Sequence, residues 1–287
     1  MNRFSIVAEG ICTRLGWEKP SYIGAGQFKE VYQTRYKNGL TVALKVFDPT
    51  KCNLCRAERE IAAMLKCESP VIGRLYDWGT YDTPGLSPHL YTLEEYFSGG
   101  ALAGRVDELR GNVDDTLTIG ISLLEGVSHL RERNLVHRDI KPDNIMFREK
   151  DGSPVLVDFG LVRDLSGTSL THSYLSQGPG SPYYASPEQL NNEKARIDWR
   201  TDQFAVGVVL AICLTGMHPY GELGTNPIDV VNQVQSRSSH ASTFVKIVQN
   251  LGVEFLLTMT SQWPVERFGR PAQAIDALRI VTERSSE

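Results

Sequence analysis

The apolar positions change period twice along the chain, and each change marks a different kind of element. Phe4, Val7, Ile11 and Leu15 recur at three- and four-residue spacing, which predicts one buried face of an N-terminal helix. From Tyr22 the pattern shortens to runs rich in β-branched and aromatic residues: Tyr22–Gly26, Glu30–Tyr36 and Thr41–Phe47. Asn38–Gly39 separates the last two and predicts a hairpin. Residues 56–66 return to helix formers with Ile61, Met64 and Leu65 apolar. Two further strands are predicted near Val71–Trp78 and Leu90–Tyr96, with a loop between them.

After Ser98–Gly99–Gly100 the helical period dominates. Leu117, Ile121, Leu124, Val127 and Leu130 define one face of a long helix. Short strands near Ile145–Phe147 and Val155–Val157 flank a turn at Asp151–Gly152, and residues 161–182 read as a mobile surface loop. Helices are predicted at 202–214, 227–235, 242–260 and 272–282. The expected class is α+β, a small sheet-rich lobe followed by a larger helical one.

Composition narrows the function only slightly. A chain of 287 residues, 41% hydrophobic and 22% charged, can bury a large core as one domain or two lobes. The net charge of −4 supplies no basic excess for a nucleic-acid partner. The longest apolar run, Phe204–Leu214, is too short to cross a bilayer and reads as a buried helix. Arg3, Glu9 and Arg14 interrupt any signal-peptide core, so the expected compartment is cytoplasmic. There the five cysteines should be mostly thiols. Cys52 and Cys55 form one CxxC, but no second pair completes a zinc set, and redox or metal chemistry stays an alternative to plain thiols.

Candidate chemistry begins weakly. IGAGQFKEVY, Ile23–Tyr32, holds Gly24 and Gly26 at a predicted turn between strands, where glycine fits any tight turn. Lys45 ends the apolar run Val42–Lys45, and Glu60 lies on the next helix, where it could pair with Lys45. A lysine in a strand more often snorkels to solvent, and a helical glutamate is more often a solvated charge.

The run LVHRDIKPDNIMF, Leu135–Phe147, is far more specific. With His137, Arg138, Asp139, Lys141 and Asn144 as HRDxKxxN, it resembles the eukaryotic-type protein kinases. Asp158–Phe159–Gly160 follows as DFG, then Ser186–Pro187–Glu188 in place of the commoner Ala-Pro-Glu, then Asp202, Gly207 and Arg267 in kinase order. The resemblance covers roughly residues 21–282 and implies a bilobal protein kinase fold. The expected division is an N-terminal helical extension at 1–20, a lobe at 21–97 with five antiparallel strands and one main helix, and a mainly helical lobe at 98–287.

The resemblance also assigns roles. Phosphoryl transfer needs positioning and charge neutralisation. Asn144 and Asp158 would hold Mg²⁺, or Mn²⁺ as an alternative, through oxygen ligands. Lys45, fixed by Glu60, would hold the α- and β-phosphates of ATP, under a lid made by Gly24, Gly26 and Phe28. Asp139 would take the proton of the incoming hydroxyl, and Lys141 would neutralise the moving phosphate. A lysine at that position is the serine/threonine pattern. Val31, Ala43 and Met146 would enclose adenine, with backbone groups offered by the segment Glu95–Tyr96–Phe97. Glu94 then falls at the position gating the deep pocket. A buried carboxylate there needs a partner or a raised pKa; otherwise the alignment slips by one.

The same resemblance implies a packed spine of Met64, Leu75, His137 and Phe159, and a buried Glu188–Arg267 ion pair. Arg138 would receive a phosphorylated activation loop, for which Ser166, Thr168, Ser169, Thr171, Ser173, Ser176 and Ser181 are candidate acceptors, with Ser181 better placed to meet substrate. The alternative is that they only keep a loop soluble. The expected activity is transfer of the γ-phosphate of ATP to serine or threonine of a protein substrate, with autophosphorylation that a homodimer would allow in trans. Nucleic acid and membrane are not expected partners. The compact arrangement looks like bacterial members, whose upstream signal would come through a partner protein. A pseudokinase scaffold would lack the lysine or an aspartate, and none is lost. Aminoglycoside-type small-molecule kinases share the aspartates but generally lack the Ser-Pro-Glu segment present here.

Overall fold

The computed structural model describes all residues except 1, 27, 52–53, 83–86, 160–161, 166–181, 223 and 286–287; the side chains of 38, 54–56, 59 and 284–285 are likewise not described. The chain divides into two compact units, Met1–Glu68 with Gly73–Ser98, and Ser69–Ile72 with Gly99–Glu287.

The smaller unit is built on a five-stranded antiparallel sheet in the order β1-β2-β3-β5-β4. Its strands are β1 (Ser21–Ala25), β2 (Lys29–Tyr36), β3 (Leu40–Phe47), β4 (Leu75–Tyr81) and β5 (His89–Glu95). The hairpin at Asn38–Gly39 forms as a 3₁₀ turn, with Gly39 at φ 76°. Helix α1 (Ser5–Leu15) packs Phe4, Val7, Ala8, Ile11 and Cys12 on Tyr32, Val42, Leu44, Val46, Tyr91 and Leu93. Those sheet residues alternate along their strands, so α1 covers one face. Glu30 closes the helix entry: its carboxylate accepts from the Arg3 and Phe4 backbone N–H groups, both at 3.0 Å, and from the Tyr32 hydroxyl at 2.5 Å. A negative charge there also favours the helix dipole. Helix α2 (Leu54–Leu65) places Ala57 and Ile61 against Phe47 and Leu90, which lie on the opposite face.

The fourth strand departs from expectation. It starts at Leu75, because Val71 and Ile72 pair elsewhere: Leu156 N–H donates to Val71 O at 2.9 Å, and Ile72 bridges Leu156 in parallel. A backbone committed to that pairing cannot also extend β4.

The larger unit centres on α3 (Val113–Glu132) and α5 (Trp199–Thr215). Asn112 caps α3 by accepting Asp115 N–H at 3.2 Å, and Asp198 caps α5 by accepting Arg200 N–H at 2.8 Å. Phe204, Val206, Val208, Val209, Leu210 and Ala211 are fully or nearly buried, so the long apolar run is the core helix of this unit. Gly207 lets that helix approach its neighbour, since a Cβ there would stand 2.8 Å from Thr260 Cγ2 and 2.9 Å from Met259 Cβ. Short strands β6 (Leu135–Val136), β7 (Ile145–Phe147), β8 (Pro154–Leu156) and β9 (Arg163–Asp164) pair as β6 with β9 and β7 with β8. The segment expected as loop from 161 to 182 thus contains a short strand; most of the rest lies outside the described residues.

Helices α4 (Pro187–Leu190), α6 (Pro227–Gln235), α7 (Ser242–Leu251), α8 (Phe255–Met259) and α9 (Pro271–Ser285) complete the unit. The single helix expected at 242–260 is two, because Gly252 ends α7 in the left-handed conformation at φ 68°. Cys12, Cys67 and Cys213 are buried, while Cys52 and the Cys55 side chain lie outside the described residues. Among the described residues, no helix is long and apolar enough to cross a membrane.

Candidate active-site residues

In the larger unit the turn after β6 is held from beneath by one carboxylate. Asp202, on the first turns of α5, is 1% exposed. Its Oδ2 accepts His137 N–H at 2.7 Å and its Oδ1 accepts Arg138 N–H at 2.8 Å. Arg138 sits at φ 70°, a left-handed conformation disfavoured for a residue with a side chain, and the two bonds from Asp202 help to hold it. Gln189 on α4 adds a third tie by donating to Arg138 O at 2.9 Å. Burial lowers the His137 imidazole to about 4, so it is neutral at ordinary pH. Its ring packs edge-on against Phe159, with centroids 5.1 Å apart, while Phe159 itself is 1% exposed.

This turn presents Asp139. Lys141 Nζ and Asn144 Nδ2 both donate to Asp139 Oδ2 at 3.0 Å, and Asn144 Nδ2 also donates to Asp139 O at 2.8 Å. Burial raises the Asp139 pKa; the Lys141 ammonium works against that, and the Asp158 carboxylate adds to it. With the amide nitrogen of Asn144 turned to Asp139, its Oδ1 is the oxygen left to face a cation. Val157 N–H donates to Asn144 O at 2.9 Å, which sets the neighbouring Asp158 alongside, at φ 66°. Asn144, just before β7, and Asp158, just after β8, therefore offer two hard oxygen donors at one end of that strand pair. Among the described residues no group of three or more His, Cys, Asp or Glu could hold a metal ion. Two protein oxygens suit Mg²⁺, which keeps several waters and takes phosphate oxygens as its other ligands. Met146 follows on β7, opposite Val155. Gly160 lies outside the described residues.

In the smaller unit, sheet register decides which side chains meet. Val31 lies opposite Lys45, Lys45 opposite Thr92, and Ala43 opposite Glu94. Side chains alternate along strands, so Val31, Ala43, Lys45, Thr92 and Glu94 share the face opposite α1. Lys45 and Glu94 are diagonal neighbours there, within reach of long side chains. Lys45 Nζ donates to Glu94 Oε2 at 2.5 Å, and Thr92 Oγ1 donates to Glu94 Oε1 at 2.7 Å. Glu94 is 5% exposed, so the partner that a buried carboxylate demands is Lys45.

This corrects the expected Lys45–Glu60 pair. Glu60 Oε1 instead accepts from Lys29 Nζ at 3.4 Å. The cross-strand register places Glu94 beside Lys45 whatever the orientation of α2. Gly24 lies in β1, and Gly26 N–H donates to Lys29 O at 2.8 Å, closing the turn that carries Phe28. Ala43 and Phe97 are buried, and Glu95 N–H is committed to Arg74 O at 2.9 Å.

Sequence reasoning passed over Thr92 and Gln189 and gave Asp202 no role. The signal for Thr92 was present in the two polar residues at period two, Thr92 and Glu94, within the otherwise apolar Leu90–Glu94 stretch. The tie between Asp202 and residues 137–138 spans more than sixty positions and left no local signal. The buried pair is as expected: Arg267 Nη1 and Nη2 reach the Glu188 carboxylate at 2.7 and 3.0 Å, with both side chains fully buried. The candidate phosphate acceptors Ser166, Thr168, Ser169, Thr171, Ser173, Ser176 and Ser181 lie outside the described residues.

The chain belongs to the protein kinase domain family, whose pattern matches residues 17–277. Among its relatives, a probable serine/threonine-protein kinase of Clostridium perfringens is 26% identical over 90% of this chain and 37% of its own length. The serine/threonine-protein kinase ATG1a of Arabidopsis thaliana is 30% identical over 74% of this chain and 33% of its own. The probable serine/threonine-protein kinase PknB of Bifidobacterium longum is 32% identical over 69% and 30% respectively. The chain thus spans about a third of the length of these curated relatives.

Proposed function

We propose that the chain is an ATP-dependent protein kinase acting on serine and threonine hydroxyls. The observation that carries this reading is the Asp139 carboxylate, partly buried and held at 3.0 Å by both Lys141 and Asn144. A carboxylate so placed can take a proton from an incoming hydroxyl as its oxygen attacks the γ-phosphorus. The bond between that phosphorus and the β-phosphate oxygen breaks, ADP leaves, and a phosphoester forms. Burial favours proton acceptance by raising the Asp139 pKa. Lys141 lies beside Asp139, where its charge opposes that of the transferring group. Asn144 and Asp158 would hold Mg²⁺, or Mn²⁺ as an alternative, and the cation when bound neutralises phosphate oxygens. Lys45 would hold the α- and β-phosphates, Gly24, Gly26 and Phe28 would cover them, and Val31, Ala43, Met146, Glu95 and Phe97 would serve adenine.

The names of the relatives support the serine/threonine reading, and so does Lys141. Autophosphorylation of the segment after Gly160, in trans within a homodimer, belongs to the same proposal, as do a protein substrate and a cytoplasmic setting. The domain reading remains a helical extension at 1–20, a small lobe at 21–97 and a large lobe at 98–287.

The test is transfer of labelled phosphate from Mg·ATP to the protein itself or to a generic protein substrate, with phosphosite mapping. Wild type should transfer to serine or threonine, and Asp139→Ala and Lys45→Ala should abolish transfer under conditions where each variant is still folded. Transfer that survives Asp139→Ala sinks the assignment of the base. Nucleotide binding without any transfer would favour a scaffold, and transfer to aminoglycosides but not to protein would favour a small-molecule kinase.

A further inference from the structure

The sheet face that carries Lys45 carries a second lysine. Lys29 lies opposite Phe47 in the register that sets Val31 opposite Lys45, so the two lysines are diagonal on adjacent strands. Their side chains are only 14% and 12% exposed. Each meets its own buried carboxylate: Lys29 meets Glu60 at 3.4 Å and Lys45 meets Glu94 at 2.5 Å, and both carboxylates are 6% exposed. The Lys29 ammonium also stands over the Phe47 ring, 5.5 Å from its centroid.

Two buried ion pairs on one small sheet face are poorly explained as stabilising devices. Desolvating a pair costs about what its attraction returns, and apolar replacements are often neutral or better. Their placement points to chemistry. Lys29 O accepts Gly26 N–H at 2.8 Å, so this lysine grows directly from the glycine turn. A nucleotide polyphosphate carries several negative charges, and two oriented ammonium groups match it better than one.

We propose that Glu94 is the positioning residue of Lys45, and that Glu60, joined to Lys29, positions a second lysine for the same nucleotide polyphosphate. The inference rests on the kinase reading above. It assigns to a strand residue the task that the family resemblance gives to the helix, and it gives Lys29 a task of its own. Glu94 acts through Lys45, with Thr92 fixing its second oxygen at 2.7 Å. Glu60 acts through Lys29.

The test is the affinity of the full chain for Mg·ATP, by calorimetry, in three backgrounds: wild type, Lys45→Met and Lys29→Met. Glu94→Gln should weaken binding about tenfold in wild type, the scale of one charge-assisted contact. It should add nothing in Lys45→Met and keep its effect in Lys29→Met. Glu60→Gln should behave the opposite way, losing its effect only in Lys29→Met. A merely structural role would weaken binding equally in every background, and that result overturns the proposal. Loss of the Glu60→Gln effect in Lys45→Met alone also overturns it, because Glu60 would then act through Lys45. Melting temperatures accompany each variant, and Glu94→Met replaces Glu94→Gln if the latter does not fold. Wild-type protein that does not bind Mg·ATP defeats the kinase reading itself, a result distinct from wild-type binding with the wrong pattern of coupling.

Discussion

Asp202 Oδ2 accepts the backbone N–H of His137 at 2.7 Å, joining the start of the core helix α5 to the turn that presents Asp139. Its second oxygen holds Arg138 N–H at 2.8 Å. Removing the carboxylate leaves two backbone donors without their partner beside a left-handed residue. Asp202→Ala should therefore destabilise the protein by about 2–5 kcal/mol, read from urea unfolding, on the scale of two unsatisfied groups. Under conditions where the variant is still folded, phosphate transfer should fall as well. A variant with wild-type transfer and stability would show that the turn holds itself.

The Glu188–Arg267 pair is fully buried and bidentate, and Thr201 Oγ1 adds a bond to Glu188 Oε1 at 2.9 Å. Arg267→Met strands a carboxylate in the core and should cost about 3–5 kcal/mol. The double variant Arg267→Met with Glu188→Gln removes both charges and should recover part of that loss. Denaturant midpoints of the two single variants and the double variant check it. Equal loss in the double and the sum of the singles would mean the two side chains are not coupled.

Stability should rise between about pH 4.5 and 6.5. Burial lowers His137 to about 4 and His218 to about 3, below the ordinary value of 6.5. In that window the unfolded chain binds more protons than the folded one at these histidines, so acidification favours unfolding. His89, His129 and His240 are lowered by burial too and act in the same direction. Asp202 and Asp139 have the opposite sign: burial raises the Asp202 carboxyl to about 7 and also raises that of Asp139, so their contributions favour the folded state at low pH and fade as pH rises. The five histidines outnumber these two carboxyls. His218→Gln should flatten the slope by up to about 1.4 kcal/mol per pH unit, one proton's worth. Thermal unfolding across the window, for wild type and this variant, measures it.

Helix α1 is part of the small unit's core. Ile11 is fully buried against the sheet cluster. Ile11→Ala should cost about 2–5 kcal/mol, as large-to-small core changes do. Ile6, 74% exposed on the same helix, should tolerate alanine. Comparable melting of the two variants would contradict the packing described.

Much of this arrangement was legible along the chain. The strands of the small sheet were readable to within a few residues because alternation and the Asn38–Gly39 turn are local signals. The HRDIKPDN run disclosed Asp139, Lys141 and Asn144 together because their contacts span only two to five positions. The end of α7 was missed although Gly252 marked it, since apolar residues continue at helical spacing on both sides. The start of β4 was misread because Val71 and Ile72 look like strand residues and are paired, but with Leu156.

Residue types and spacing along the chain carry the resemblance to the protein kinases and bring Asp139, Lys141 and Asn144 into one short turn. Which carboxylate faces which lysine was settled only by three-dimensional pairing. Glu60 and Glu94 are equally acidic in the sequence, fifteen and forty-nine positions from Lys45. The β3–β5 register puts Glu94 on the lysine's own face, one diagonal away, and the β2 turn delivers Lys29 to Glu60. A partner chosen by cross-strand register depends on backbone hydrogen bonds between distant segments, and no local pattern encodes it.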